Sequence, residues 1–164
     1  MAKFLVVMLL AVLLTSCGND ASSNNNFEVY NPANLTEIPI SGEIAQQLLN
    51  SKDTSVVNQS VKVYNTTRSL KELGDAYGEE MIKRGWYDAT IKLTGTTELG
   101  SQGVIRAFEK NVSGDAMKKH VLGVIVISPD VKTEAAQRIR TTQPQATDNM
   151  VIVIQGAKGI PAAS

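Results

Sequence analysis

The chain has one cysteine and one histidine in 164 residues. An intramolecular disulfide is therefore impossible, and the soft ligands of a structural zinc site are missing. Charge of one sign is missing too. With 16 Lys+Arg against 16 Asp+Glu and a pI near 6.6, the chain lacks the basic surplus with which a non-specific nucleic-acid binder neutralises phosphate. No Gly-x-Ser-x-Gly elbow, His-Glu-x-x-His pair, Ser-x-x-Lys pair, Walker A loop or dinucleotide fingerprint occurs, so no catalytic set, cofactor or metal is expected. Calcium would need oxygen ligands at fixed intervals, and that spacing is absent as well.

What is present begins at the N-terminus. Lys3 precedes an apolar run from Phe4 to Leu14, and the chain then reads Leu14-Thr15-Ser16-Cys17. Those eleven apolar residues fall short of the ~20 a membrane-spanning helix needs. A basic start, a short apolar run and small residues before a cut make a secretory signal. Leu14, Thr15, Ser16 and Cys17 resemble the lipobox of bacterial lipoproteins. That resemblance implies cleavage before Cys17 and diacylglyceryl transfer to its thiol, usually with acylation of the new amine. Each buried methylene adds ~0.8 kcal/mol, so two or three chains hold a protein on a membrane effectively for good. The residue after the cysteine is Gly18 rather than the Asp that marks inner-membrane retention in Gram-negative lipoproteins, so the resemblance favours the outer membrane facing the periplasm, the alternative being the single membrane of a Gram-positive host.

Four segments are expected: a signal peptide at 1–16, the lipidated Cys17 and a flexible linker at 17–34, one domain at 35–156, and a disordered tail at 157–164. Gly18 to Asn26 has no large apolar side chain to offset ordering entropy, and a coil of nine such residues averages ~17 Å end to end. Pro32 and Pro39 predict an extended lead-in, and Ser41 caps a short helix through Asn50 with Ile44, Ala45, Leu48 and Leu49 on one stripe. Val61, Val63 and Asn65 alternate with Lys62 and Tyr64 as in a strand.

The best-specified helix runs from Ser69 to Trp86. Ser69 with Glu72 forms a capping box, and Leu70, Leu73, Tyr77 and Met81 recur at helical spacing. Gly85 takes the left-handed stop position, which lets Trp86 pack back on Met81. Gly74 and Gly78 each cost ~1 kcal/mol inside a helix and imply a close approach of sheet or, less favoured, of a ligand. Strands follow at Thr90 to Leu93, Val104 to Lys110, Val121 to Ile127 and Met150 to Ile154, with a short helix at Thr133 to Arg140. The order predicts an α+β fold: a mainly antiparallel sheet of four to five strands, one long helix on a face, and one or two short helices. The last two strands are continuously apolar and need cover on both faces, from Ile44 to Leu49, from Thr133 to Arg140, or from a partner. His120 is expected to be a solvated residue at a loop end.

The lipobox, the run Tyr77-x-x-x-Met81-x-x-x-Gly85-Trp86 and the later Phe108-x-Lys110 together resemble a loose group of small bacterial lipoproteins without an assigned activity. The resemblance covers Val61 to Gly156 and implies an envelope domain. It transfers no catalytic residue. The candidate interaction surface is Trp86 with the basic Lys132, Arg138 and Arg140, able to meet lipid headgroups or an acidic partner. The expected function is a non-enzymatic module, bound to the membrane through Cys17, contacting a protein partner in the envelope and no nucleic acid. The alternative is a periplasmic lipid or small-ligand carrier with its pocket at Gly74, Gly78 and Trp86.

Overall fold

Short runs of Val and Ile that lack alternation are stable only where both sides of a strand are dry. Two such runs form the centre of the fold. The computed structural model describes residues 30–32, 34–49, 56–90, 100–112, 114–144 and 146–159. Its elements are β1 (Thr36–Ile38), α1 (Gly42–Leu49), β2 (Val56–Thr66), α2 (Leu70–Lys83), β3 (Tyr87–Asp88), β4 (Gly103–Val112), β5 (Asp115–Ile127), α3 (Glu134–Thr142) and β6 (Asn149–Lys158). All strands join one antiparallel sheet in the order β1-β2-β6-β5-β4-β3. The fold is therefore α+β, with the apolar strands β5 and β6 in the middle.

Register decides which residue faces which layer. Val124 opposes Val153, and both join Leu122, Val126 and Val151 in a buried cluster with Leu73, Tyr77 and Met81 of α2. One residue along, Ile125 opposes Ile152, and these pack with Ile44 and Leu48 of α1 and Ala136 and Ile139 of α3. Both faces are thus covered from within the chain. That explains why β5 and β6 read as unbroken apolar runs.

Several expectations are corrected. The sheet has six strands rather than four to five, because β1 has only three residues and β3 only two, too few for a period-2 pattern. Among the described residues there is no single long helix: α2 has 14 residues and shares the work with α1 (8) and α3 (9) on the opposite face. β2 extends back to Val56 past an irregularity between Val57 and Ser60, where Asn58 has φ 53°. β6 runs through Ala157 and Lys158, beyond the expected domain end at 156. Tyr30, placed in the expected linker, packs on the fold instead. His120 is a half-buried residue inside β5, not a loop end. The signal peptide, Cys17, the stretch 18–26, and Ile91 to Leu93 of the strand expected at Thr90 lie outside the described residues.

Candidate functional site

Helix α2 is held at both ends by the groups its sequence advertises. At its start the Ser69 hydroxyl accepts from the Glu72 N–H at 3.3 Å, and the Ser69 N–H donates to the Glu72 carboxylate at 3.1 Å. The hydroxyl's hydrogen bond also holds the Glu72 carboxyl below the usual range. At its end Gly85 adopts φ 78°, its N–H donates to the Ile82 carbonyl at 2.9 Å, and the Trp86 N–H donates to the Met81 carbonyl at 3.0 Å. This is a Schellman stop, and it turns Trp86 into the cluster below the helix. Trp86 is 3% exposed, so its ring belongs to the core and presents nothing to a surface.

The helix glycines accommodate the sheet. A Cβ on Gly74 would lie 2.8 Å from Val104 Cγ1, and the Arg106 side chain donates from Nε to the Gly74 carbonyl at 3.2 Å. Gly78 faces the same guanidinium, at 3.9 Å from a built Cβ. Arg106 also pairs with Asp75 at 3.7 Å and with Asp88 at 4.0 Å, tying α2 to β3 and β4. Leu73, Tyr77 and Met81 share one buried cluster with Phe108, Leu122 and Val124, and burial pushes the Tyr77 phenol well above its ordinary value.

The three basic residues expected to form a surface are not used together. Arg138 donates to the Glu43 carboxylate at 2.8 Å and pairs with Glu134 at 3.4 Å, so it joins α3 to α1. Arg140 turns inward, donating to the carbonyls of Val131 and Ser128 at 2.9 Å each. Burial lowers the Arg140 pKa, while Asp130 works against that shift. Lys132 and Arg138 are both exposed, and Lys132 carries no contact of this kind.

A different cluster emerges at the end of the sheet where β4 turns into β5. Tyr30 meets the Tyr77 ring edge-on at 5.6 Å, and the Arg84 guanidinium sits 5.5 Å above the Tyr30 ring. Lys110 donates to the Arg84 carbonyl at 2.8 Å, and so fastens the end of α2 to the end of β4. In register Lys110 opposes His120, and Lys119 opposes Lys158. Burial, and then the Lys110 charge, lower the His120 pKa. Lys119 pairs with Glu109 at 2.8 Å, Lys118 with Asp115 at 3.5 Å and Lys83 with Glu80 at 2.7 Å. The large apolar side chains exposed among the described residues are Ile82, Tyr87 and Met117, at 56%, 65% and 57%. All three belong to this end: Ile82 in the last turn of α2, Tyr87 opposite Glu109, and Met117 beside the β4–β5 turn. The sequence does not reveal the cluster because its members come from five elements and from Tyr30 ahead of them. Its local signals were Gly114, with φ 85°, at the turn and the Met117-Lys118-Lys119 run after it.

Among the described residues no group of three His, Cys, Asp or Glu side chains comes together in a way that could hold a metal ion, and no helix is long and apolar enough to cross a membrane. Comparison with protein-family models, with curated proteins and with solved structures finds no match for this chain.

Proposed function

We propose that this chain is a bacterial envelope lipoprotein: a domain tethered to the membrane through a lipid on Cys17 and serving as a non-catalytic binding or structural module toward another envelope component. The observation that carries the reading is that the only cysteine of 164 residues stands directly after Leu14-Thr15-Ser16 and an apolar run of signal-peptide length. The outer membrane, facing the periplasm, is the favoured location because Gly18 follows the cysteine. Membership in the group of small lipoproteins carrying the Tyr77, Met81, Gly85, Trp86 pattern belongs to the same proposal. The arginines of β4 and α3 support a non-catalytic role, since Arg106, Arg138 and Arg140 join elements of the fold to one another.

The test is fractionation of cells producing the full chain or its Cys17→Ser variant, followed by cross-linking in intact envelopes. The proposal expects the full chain in the membrane fraction, the variant released or unprocessed, and a cross-linked envelope partner seen only with the full chain. Equal distribution of the two chains, with no partner specific to either, would refute it.

A further inference from the structure

A helix is about 10 Å wide and strands stand about 4.8 Å apart, so one helix keeps about two or three strands of a sheet face dry. Helix α2 packs mainly on β3, β4 and β5. Further along the same face, Tyr64 of β2 and Val151 and Val153 of β6 are buried in the cluster that α2 shares. The half-buried side chains packed on that cluster are Tyr30, Leu35 and Leu70. Tyr30 and Leu35 stand ahead of β1, so the lead-in to the sheet helps complete a layer that a helix of 14 residues leaves unfinished.

This lead-in is fixed unevenly. From Thr36 it belongs to the sheet, with Thr36, Glu37 and Ile38 paired to Asn65, Tyr64 and Val63. Ahead of that, Tyr30, Asn31 and Pro32 belong to no strand or helix. Tyr30 is held by side-chain contacts: its ring meets Tyr77 edge-on at 5.6 Å, and the Arg84 guanidinium sits over it at 5.5 Å. Arg84 is itself anchored, since it caps α2 and its carbonyl accepts from Lys110 of β4. Between the two parts stands Asn34, a non-glycine residue in the left-handed conformation, with φ 70°. Asparagine tolerates that region better than most side chains, and one such residue turns the chain sharply. A segment near a chain end that lies outside the backbone ladders and is held by a few side-chain contacts opens at a far lower free energy than the core.

We propose that Tyr30 to Pro32 form a releasable strap, which swings about Asn34 between a closed state latched on Tyr77 and Arg84 and an open state, while Leu35, β1 and the rest of the fold stay in place. Opening bares the ring edge of Tyr77, which is 0% exposed under the closed strap. It also moves the first fixed residue of the chain. From Cys17 to Tyr30 there are thirteen residue steps (30 − 17), and from Cys17 to Asn34 seventeen (34 − 17), so the upper limit on the span rises from ~45 Å to ~60 Å. With Cys17 lipidated, the strap sets how far the domain can stand from the bilayer. That consequence rests on the tethered reading of Cys17, whereas the opening itself does not.

The test uses the chain from residue 17 onward, which holds every described residue, with Cys17→Ser and with 3-fluorotyrosine at its four tyrosines. Tyr87, exposed on the edge strand β3, is the control. Fluorine relaxation dispersion is expected to show Tyr30 and Tyr77 exchanging at one common rate with an open state populated at about 1–10%, while Tyr87 shows none. Urea should change that population little, because the opening exposes little surface. Arg84→Met removes the charge over the Tyr30 ring and should raise the open population several-fold. Tyr30→Ala should place the Tyr77 signal at its open-state position, with circular dichroism confirming that the variant is folded. Leu35→Ala, outside the strap, should lower the urea midpoint and leave the exchange as it was. Exchange absent from Tyr30 and Tyr77, shared by Tyr87, or growing with urea as steeply as global unfolding does, overturns the strap. Failure of cells to lipidate Cys17 would appear only in fractionation, separately from this readout.

Discussion

The Trp86 N–H reaches back 3.0 Å to the Met81 carbonyl across the left-handed Gly85, and the two side chains meet in the same buried cluster. One turn therefore both ends α2 and seals the core beneath it. Gly85→Ala is expected to cost about 1 kcal/mol, and Gly85→Asn less, because Asn tolerates the left-handed region better. Trp86→Ala should cost about 3–5 kcal/mol by leaving a cavity. Urea unfolding followed by far-UV circular dichroism measures all three, and equal costs at the two positions would contradict this account of the turn.

The two glycines inside α2 should behave oppositely. Gly74→Ala places a methyl 2.8 Å from Val104 Cγ1, a stiff β-branched side chain, and is expected to destabilise despite the helix-propensity gain. Gly78→Ala meets only the Arg106 guanidinium at ordinary contact and should stabilise by about 0.5–1 kcal/mol. A double-mutant cycle of Gly74→Ala with Val104→Ala should recover part of the loss, since the larger residue then has room.

Arg140 and Arg138 provide a second contrast. Arg140→Ala leaves the Ser128 and Val131 carbonyls without their donor and should cost about 1–3 kcal/mol. Arg138→Ala removes exposed pairs with Glu43 and Glu134 and should cost less than about 1 kcal/mol, with most of that lost in high salt. Thermal melts of both variants at low and high ionic strength check the order.

Acidification should loosen the fold in two separate windows. Burial, with Lys110 beside it, holds the folded His120 pKa below its ordinary value of 6.5, so the unfolded chain binds the proton more readily. Its contribution is complete above that pH and is lost as pH falls through the lower folded value. His120→Gln should flatten the stability profile on the acid side of the ordinary imidazole range. The carboxylates of Glu72, Asp75 and Glu80, lowered by hydrogen bonds from Ser69, Lys71 and Lys83, act only further into acid. Urea midpoints across this range, compared between His120→Gln and the parent, separate the windows.

The fold was legible where local chemistry decides it. Ser69 with Glu72, Gly85 with Trp86, and the Ile44, Leu48 stripe each mark an element within a few residues, because caps and periodicity act over one or two turns. Thr133 likewise caps α3, accepting from the Ala136 N–H at 3.2 Å. β1 and β3 were hidden because their pairing partners, Asn65 and Glu109, are distant in sequence and the strands themselves are too short to alternate. The basic Arg138 and Arg140 suggested a surface because composition cannot tell a solvated guanidinium from one turned onto a loop carbonyl. Ile82, Tyr87 and Met117 became one feature only once sheet order placed α2, β3 and β5 at a common end.

The most direct test of the whole account is the mass of the mature N-terminal peptide from cells expressing the full chain. Anchoring through Cys17 predicts a peptide that begins at Cys17 and carries the diacylglyceryl mass. A peptide that begins elsewhere, or a mature Cys17 with a free thiol, would contradict it.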